Sequence, residues 1–233
     1  MSQVIPTPDF ATRATDEMPF GAIFVVDGTK DEEGNIAAER DILQASTNAL
    51  VQLLTSDNDI VKEAVEAWFA GRIRKIVKRA SGAAWRKADA LDLPHFVQEH
   101  NGARVMVFLP ILIADQPKAL KSLQVTGLNS ADADPQTFEN AAYLEVIVND
   151  TLEMSTGKVV AQVGHAVQLF LTYGNDMEVQ DWIANDTLIQ VVRSKNMDES
   201  AVTGIVVRDA GFTEVPSGSL TAYANYRFKK LEG

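Results

Sequence analysis

Apolar residues along the second half of the chain change period at regular intervals. "YLEVIVND", 143–150, is a continuous apolar run rich in β-branched residues, long enough for one strand. After the turn "TLEMSTG", the stretch "KVVAQVGHAVQLFLTYG" places small and apolar residues at helical spacing until Gly174. "MEVQDWIAN" predicts a short helix, "TLIQVVRS" a strand, and "NMDESAV" another helical turn. "TGIVVRDAG" and the alternating "SLTAYANYRF" predict the last two strands. Four strands with helices between them define an α/β layer arrangement.

The first half repeats this order. "GAIFVVDG" corresponds to the first strand, "GNIAAERDILQASTNALVQLL" to the first helix, and "KEAVEAWFAGRIRKIVKRA" to the short helix and second strand. "AAWRKADALDL" reads as helical and "ARVMVFLPILI" as the third strand. Gly34 and Asn35 fall on Gly157 and Lys158, and Trp68 falls on Trp182, with a slip in the intervening loop. The pattern predicts an α/β fold: two tandem copies of a small three-layer α/β/α unit, each with a four-stranded mixed sheet, packed together as a pseudo-dimer. The expected divisions are an N-terminal tail, 1–18; the first copy, 19–125; a small, polar linker around "TGLNSADADPQT", 126–138; and the second copy, 139–233.

Composition narrows the chemistry. The 233 residues contain no cysteine, which removes disulfides, thiolate catalysis and zinc–cysteine sites, and a reducing cytoplasm is the expected setting. The first twenty residues lack the basic and apolar regions of a signal peptide, and "VMVFLPILIA" is too short to span a bilayer, so no membrane role is expected. His95 and His100, beside Pro94, are expected in a surface loop and are poorly placed to share a metal. Neither half has a G-x-G-x-x-G or a P-loop after its first strand, so no nucleotide cofactor is expected.

The net charge of −11 opposes nucleic-acid binding by bulk attraction. Against it stands the stretch 71–87, which carries Arg72, Arg74, Lys75, Lys78, Arg79, Arg86 and Lys87 without an acid. Such a patch can steer a polyanion even on an acidic protein. It can equally be a solvated strand edge and helix face.

Lys158, Gln162 and His165 stand at i, i+4 and i+7, on one stripe of the predicted helix. Lys158 lies at the helix start, where its charge adds to the helix dipole and to unpaired N–H groups to form an anion-binding corner. In "RDAGFTEVPSGSLT" an acid follows an apolar run and Gly211 permits a tight turn, so Asp209, Thr213, Ser219 and Thr221 can converge on that corner.

"VNDTLEMSTGKVVAQVGHAV" and, downstream, "VVRDAGFTEVPSGSLT" together resemble the two signature regions of the type II, archaeal and eukaryotic-like, peptidyl-tRNA hydrolases: G-K-x-x-x-Q-x-x-H-A, then R-D-A-G-x-T with G-S-x-T. The resemblance spans about residues 141–228, with a weaker version over 20–125. It implies hydrolysis of the ester between a peptide carboxyl and the tRNA ribose, with Lys158, Gln162, Asp209 and Thr213 lining the active site and Thr221 close by. On that reading Asp209 orients or deprotonates water, Lys158 stabilises an oxyanion or a phosphate, and Gln162 and Thr213 are positioners. His165, Ser219 and Thr221 join the substrate-binding set, while Arg72, Arg74, Lys75 and Lys78 hold RNA. The alternative is a non-catalytic member of the fold that binds a small ligand or a protein.

Two departures from the family pattern bear on activity. The family's lysine-rich first turn, D-L-K-M-G-K-G-K, is here "DTLEMSTGK", and a late-helix lysine is Thr172. In the first copy Asn35, Glu39 and Ile42 stand for the lysine, glutamine and histidine, which predicts a non-catalytic copy serving as a built-in partner subunit. The resemblance, to enzymes that are homodimers of one small domain, implies this internal pairing and leaves a further homodimer of the whole chain open.

Overall fold

The computed structural model describes residues 19–71, 73–131, 134–199, 202, 204–211 and 214–228. The first half runs β1 (Phe20–Asp27), α1 (Glu39–Leu54), α2 (Asp59–Ala70), β2 (Arg74–Ala80), α3 (Gly82–Asp89), β3 (His95–His100), β4 (Ala103–Leu112) and a short α4 (Lys118–Lys121). The second runs β5 (Ala142–Asn149), α5 (Thr156–Tyr173), α6 (Asp176–Ala184), β6 (Ile189–Ser194), β7 (Ile205–Arg208) and β8 (Leu220–Phe228). The strand orders are β2-β1-β4-β3 and β6-β5-β8-β7, the same order twice. In each sheet the first strand pairs parallel to the second and antiparallel to the last. The α/β class and the two four-stranded mixed sheets follow the periodicity of the sequence.

Alternation along the strands builds the layers. In β1, Ala22, Phe24 and Val26 face the core that holds α1 and α2, whereas Ile23 and Val25 face α3 and α4 through Trp85, Ala88 and Leu120. The first sheet is thus covered by helices on both faces. In the second half α5 and α6 bury Val159, Val163, Phe170 and Trp182 with Leu144, Val146 and Val148 of β5. Trp68 and Trp182 are both fully buried, each on the second helix of its half. One apolar core runs through both halves, because α1 packs on α5 and on β6 while α5 packs on β2.

Two expectations need correction. His95 and His100 lie at the two ends of β3, an edge strand, not in a loop. The signal for it was the dipeptide Asn101–Gly102, which joins β3 to β4 as a two-residue hairpin turn with positive φ at both positions. Helix α1 begins at Glu39, not at Gly34. The Asp31 carboxylate accepts from the N–H groups of Glu33 and Asn35 at 3.0 and 2.8 Å and spends the preceding residues on a turn. Counted from the N-caps Ala38 and Ser155, the positions matching Lys158, Gln162 and His165 are Asp41, Ala45 and Asn48. Asn35, Glu39 and Ile42 are not their counterparts.

Candidate active site

Helix α5 starts at an N-cap that is itself clamped. Ser155 Oγ accepts from Lys158 N at 3.2 Å and donates to Glu214 Oε1 at 2.7 Å, while Ser155 N donates to Glu214 Oε2 at 2.8 Å. The β7–β8 connection is thereby tied to the first turn of the helix. It is also tied to itself, since Asp209 N donates to Ser219 O and Gly218 N to Asp209 O, at 3.0 and 2.7 Å. Gly211 has φ +80°, and a Cβ there would lie 2.6 Å from Ser217 N, so the turn admits only glycine. Its N–H donates to Asp209 Oδ1 at 2.7 Å.

Asp209 therefore has one oxygen fixed by its own loop and the other aimed at α5. Asp209 Oδ2 accepts from Lys158 Nζ at 2.6 Å and from Gln162 Nε2 at 2.8 Å. Gln162 Oε1 in turn accepts from Thr221 Oγ1 at 2.6 Å, and Gln162 and Thr221 are 1% and 0% exposed. Every polar atom named in this chain is satisfied, the condition under which a buried network rigidifies a site. The side chains of Lys158 and Asp209 are 8% and 9% exposed, so their attraction acts in a medium less screening than water.

The network opens on a cavity of about 380 Å³ whose walls come from both halves. The second half contributes Gly157, Lys158, Ala161, Gln162, His165, Val207 to Ala210 at the end of β7, and Glu214; the first contributes Ile73 and, on β2, Arg74 to Val77, with Ile113 and Val125. His165 Nδ1 lies 3.1 Å from Lys75 Nζ. Desolvation, reinforced by the charges of Lys75 and Lys158, holds the imidazole well below the ordinary histidine range, so it is neutral near pH 7. Desolvation also holds Lys75 well below the ordinary lysine range.

Of the residues singled out in the sequence, Lys158, Gln162, His165, Asp209 and Thr221 come together. Thr213 and Arg72 lie outside the described residues. Ser219 is turned away, its hydroxyl donating to Pro216 O at 2.7 Å within its own turn. The basic stretch does not form one surface. Lys78 is buried and donates to Leu120 O at 2.7 Å; Lys75 reaches α5; Arg74 lines the cavity; Arg86 and Lys87 are exposed on α3. A lysine whose charge is already held by a buried carbonyl is not available to a phosphate, so Lys78 drops out of the expected RNA-holding set. The residues that sequence reasoning missed are Glu214, clamped on the helix cap, and the apolar wall of β2, which lies in another half of the chain.

The equivalent corner of the first half is closed. Asp41, in the position of Lys158, accepts from Asn101 Nδ2 at 3.1 Å and lies 3.7 Å from His100 Nε2. The connection after β3 is two residues long, whereas the one after β7 spans 209–219. The linker lies over the start of α1: Glu39 N donates to Ala131 O at 3.3 Å and Arg40 Nη1 to Asp134 O at 3.1 Å. Among the described residues no cluster of metal-ligating side chains occurs, and no helix is long and apolar enough to cross a membrane.

The site is thus a lysine–carboxylate–glutamine network at a helix start over a mixed four-stranded sheet, beside a cavity. Residues 143–226 match the model of the family described as Peptidyl-tRNA hydrolase PTH2. The peptidyl-tRNA hydrolase of Methanothermobacter thermautotrophicus is 27% identical over 86 residues, covering 33% of this chain and 77% of that protein. No solved structure matches the chain.

Proposed function

We propose that the C-terminal half hydrolyses the ester that joins a peptide to the ribose of tRNA, releasing both, and that the first half serves as a fixed, non-catalytic partner that walls the site. The observation that carries this reading is the convergence of Lys158, Gln162, Thr221 and Asp209 in one hydrogen-bonded chain at the cavity. The substrate carbonyl enters beside Lys158. Water adds to the carbonyl carbon, and its attack is directed by Asp209 with Gln162 holding the carboxylate in place; negative charge gathers on the former carbonyl oxygen. The Lys158 ammonium and the start of α5 oppose that charge. Collapse of the adduct breaks the bond to the ribose oxygen, which leaves with a proton as the free hydroxyl. Thr213 is assigned to the same site from the sequence pattern alone. The apolar wall of Ile73, Ile76 and Val125 suits an uncharged part of the acyl group, and Arg74 in the same lining suits phosphate.

One observation favours a second reading. Glu214 already occupies the cap of α5 with a carboxylate, and the chain is strongly acidic, which suits a module that binds a small neutral or cationic ligand without cleaving it.

The test is release of peptide from an N-blocked aminoacyl-tRNA at low ionic strength by the native protein, Lys158→Ala and Asp209→Ala. Cleavage by the native protein and a loss of about 100-fold or more in each folded variant are expected, the cost of removing one preorganised charge-stabilising group. A native protein that neither binds nor cleaves the substrate decides for the second reading.

A further inference from the structure

The mechanism above leaves His165 unused, although it lines the same cavity two helical turns from Lys158. Its Nδ1 is engaged from the other half of the chain. Lys75 reaches across from β2, its Nζ 3.1 Å from His165 Nδ1, hydrogen-bonded also to Gln168 Oε1 and 4.9 Å from the ring centre of buried Trp68. The approach is close because α5 has glycine at 164: a Cβ there would lie 3.0 Å from Lys75 Cδ and 3.2 Å from Cε. Gln168 Oε1 can only accept, so one N–H of Lys75 goes to it and another is available to the imidazole, whether the amine is charged or neutral.

We propose that Lys75 is a positioning residue supplied by the first half, which fixes His165 as the Nε2–H tautomer and so provides the cavity with a neutral imidazole donor for the bound ester. The proposal rests on the ester-hydrolysis reading for what His165 acts on, but the Lys75–His165 coupling stands apart from it. Histidine tautomers are set by what the other ring nitrogen meets. A donor held on Nδ1 leaves the hydrogen on Nε2. Around the ring stand Lys75 on β2 and Lys158 on the same helix, with Arg74, Arg208, Asp209 and Glu214 in the lining of the same cavity. Burial, with the charges of the two lysines behind it, keeps the ring from taking a second proton. The first half thereby completes the site instead of merely covering it.

Long-range ¹⁵N–¹H correlation spectra of histidine-labelled protein test this directly, because the chain has three histidines and His165→Gln identifies the signal. The expected native result is a fixed Nε2–H pattern for His165 that does not change between pH 5.5 and 8. In Lys75→Met, with folding checked by near-ultraviolet dichroism, the pattern is expected to become an average of both tautomers and to titrate closer to the ordinary value of about 6.5. If Lys75→Met does not fold, Gly164→Ala, which displaces the lysine stem while keeping its charge, is expected to produce the same averaging. In the cleavage assay Lys75→Met is expected to lower kcat about tenfold with KM nearly constant, and to move the acidic limb of the pH–rate profile upward. An Nδ1–H pattern in the native protein, or an unchanged His165 signal in the variants, overturns the proposal. A native protein that lacks esterase activity but shows the tautomer shift overturns only the assignment of peptidyl-tRNA as substrate.

Discussion

Thr221 is the residue on which the site's hydrogen-bond chain rests. Its hydroxyl is fully buried, lies 2.6 Å from Gln162 Oε1 and 3.2 Å from Val207 O, and fixes which end of the Gln162 amide faces Asp209. Thr221→Val keeps the shape but leaves Gln162 Oε1 without its donor in a dry site, a loss of about 1–3 kcal/mol. Urea unfolding is expected to register that loss. Turnover is expected to fall as well, because an amide free to rotate can present its oxygen to the Asp209 carboxylate and repel it. A stable Thr221→Val with native turnover would mean that Asp209 is held by Lys158 and its own loop alone. At this scale the sequence was informative where residues act along one helix: the i, i+4 spacing of Lys158 and Gln162 placed both on Asp209. It misled for Ser219, since a hydroxyl in a turn rich in carbonyls has nearer partners than the site, and nothing in the spacing of "PSGS" distinguishes them.

Helix α5 does two jobs that conflict locally. Its polar stripe carries the site, while the opposite requirement, close packing on β2, falls at Gly164 in the helix interior. Glycine there forgoes about 1 kcal/mol of helix propensity relative to alanine. The contact with the Lys75 stem accounts for it, with a Cβ position only 3.0 Å from Lys75 Cδ. Gly164→Ala is thus expected to change thermal stability little, the helical gain offsetting the crowding, while lowering turnover severalfold. A melting curve and the cleavage assay on the same preparation check this, and a rise in stability with native turnover would show that the close approach has no role in the site. Element identities were largely legible because period and punctuation are local properties: all four strands of the second half and both of its main helices lie where alternation and helical spacing put them. The elements that went astray are those whose signals compete. The segment 34–38 has helix-compatible residues, but the Asp31 turn uses their N–H groups first. The His95–His100 strand is short and half-buried, so its alternation is weak, and only the Asn-Gly turn behind it announces a hairpin.

The two halves share one core, and the charges buried between them link the stability of the whole molecule to pH. Glu39 at the start of α1 lies 2.6 Å from Arg193 Nη2 on β6 and accepts from Thr156 Oγ1 at 2.8 Å; Gln44 of α1 bonds Thr187 O and Ile189 N at 3.0 and 2.9 Å; Lys75 of β2 crosses to α5. None of these pairings was legible in the sequence, since they join residues about 90 to 155 positions apart and have no local period. Lys75 allows the sign to be worked out. Burial lowers its folded-state pKa well below the value of 10.5 that it has when exposed. Between the folded value and 10.5 the unfolded chain therefore binds more protons than the folded one, so stability rises with pH across that window. Replacing Lys75 by methionine removes this dependence. His165, whose pKa is likewise lowered, contributes its own rise only below its ordinary value of about 6.5, and so is silent above pH 7. The difference in unfolding free energy between the native protein and Lys75→Met is expected to move in favour of the native protein from pH 7 to pH 10, as measured by urea titration at each pH. A difference that stays flat would mean that the amine remains fully charged in the folded protein, hydrated from the cavity side, and that the first half pays no electrostatic penalty for placing a lysine against its neighbour's site.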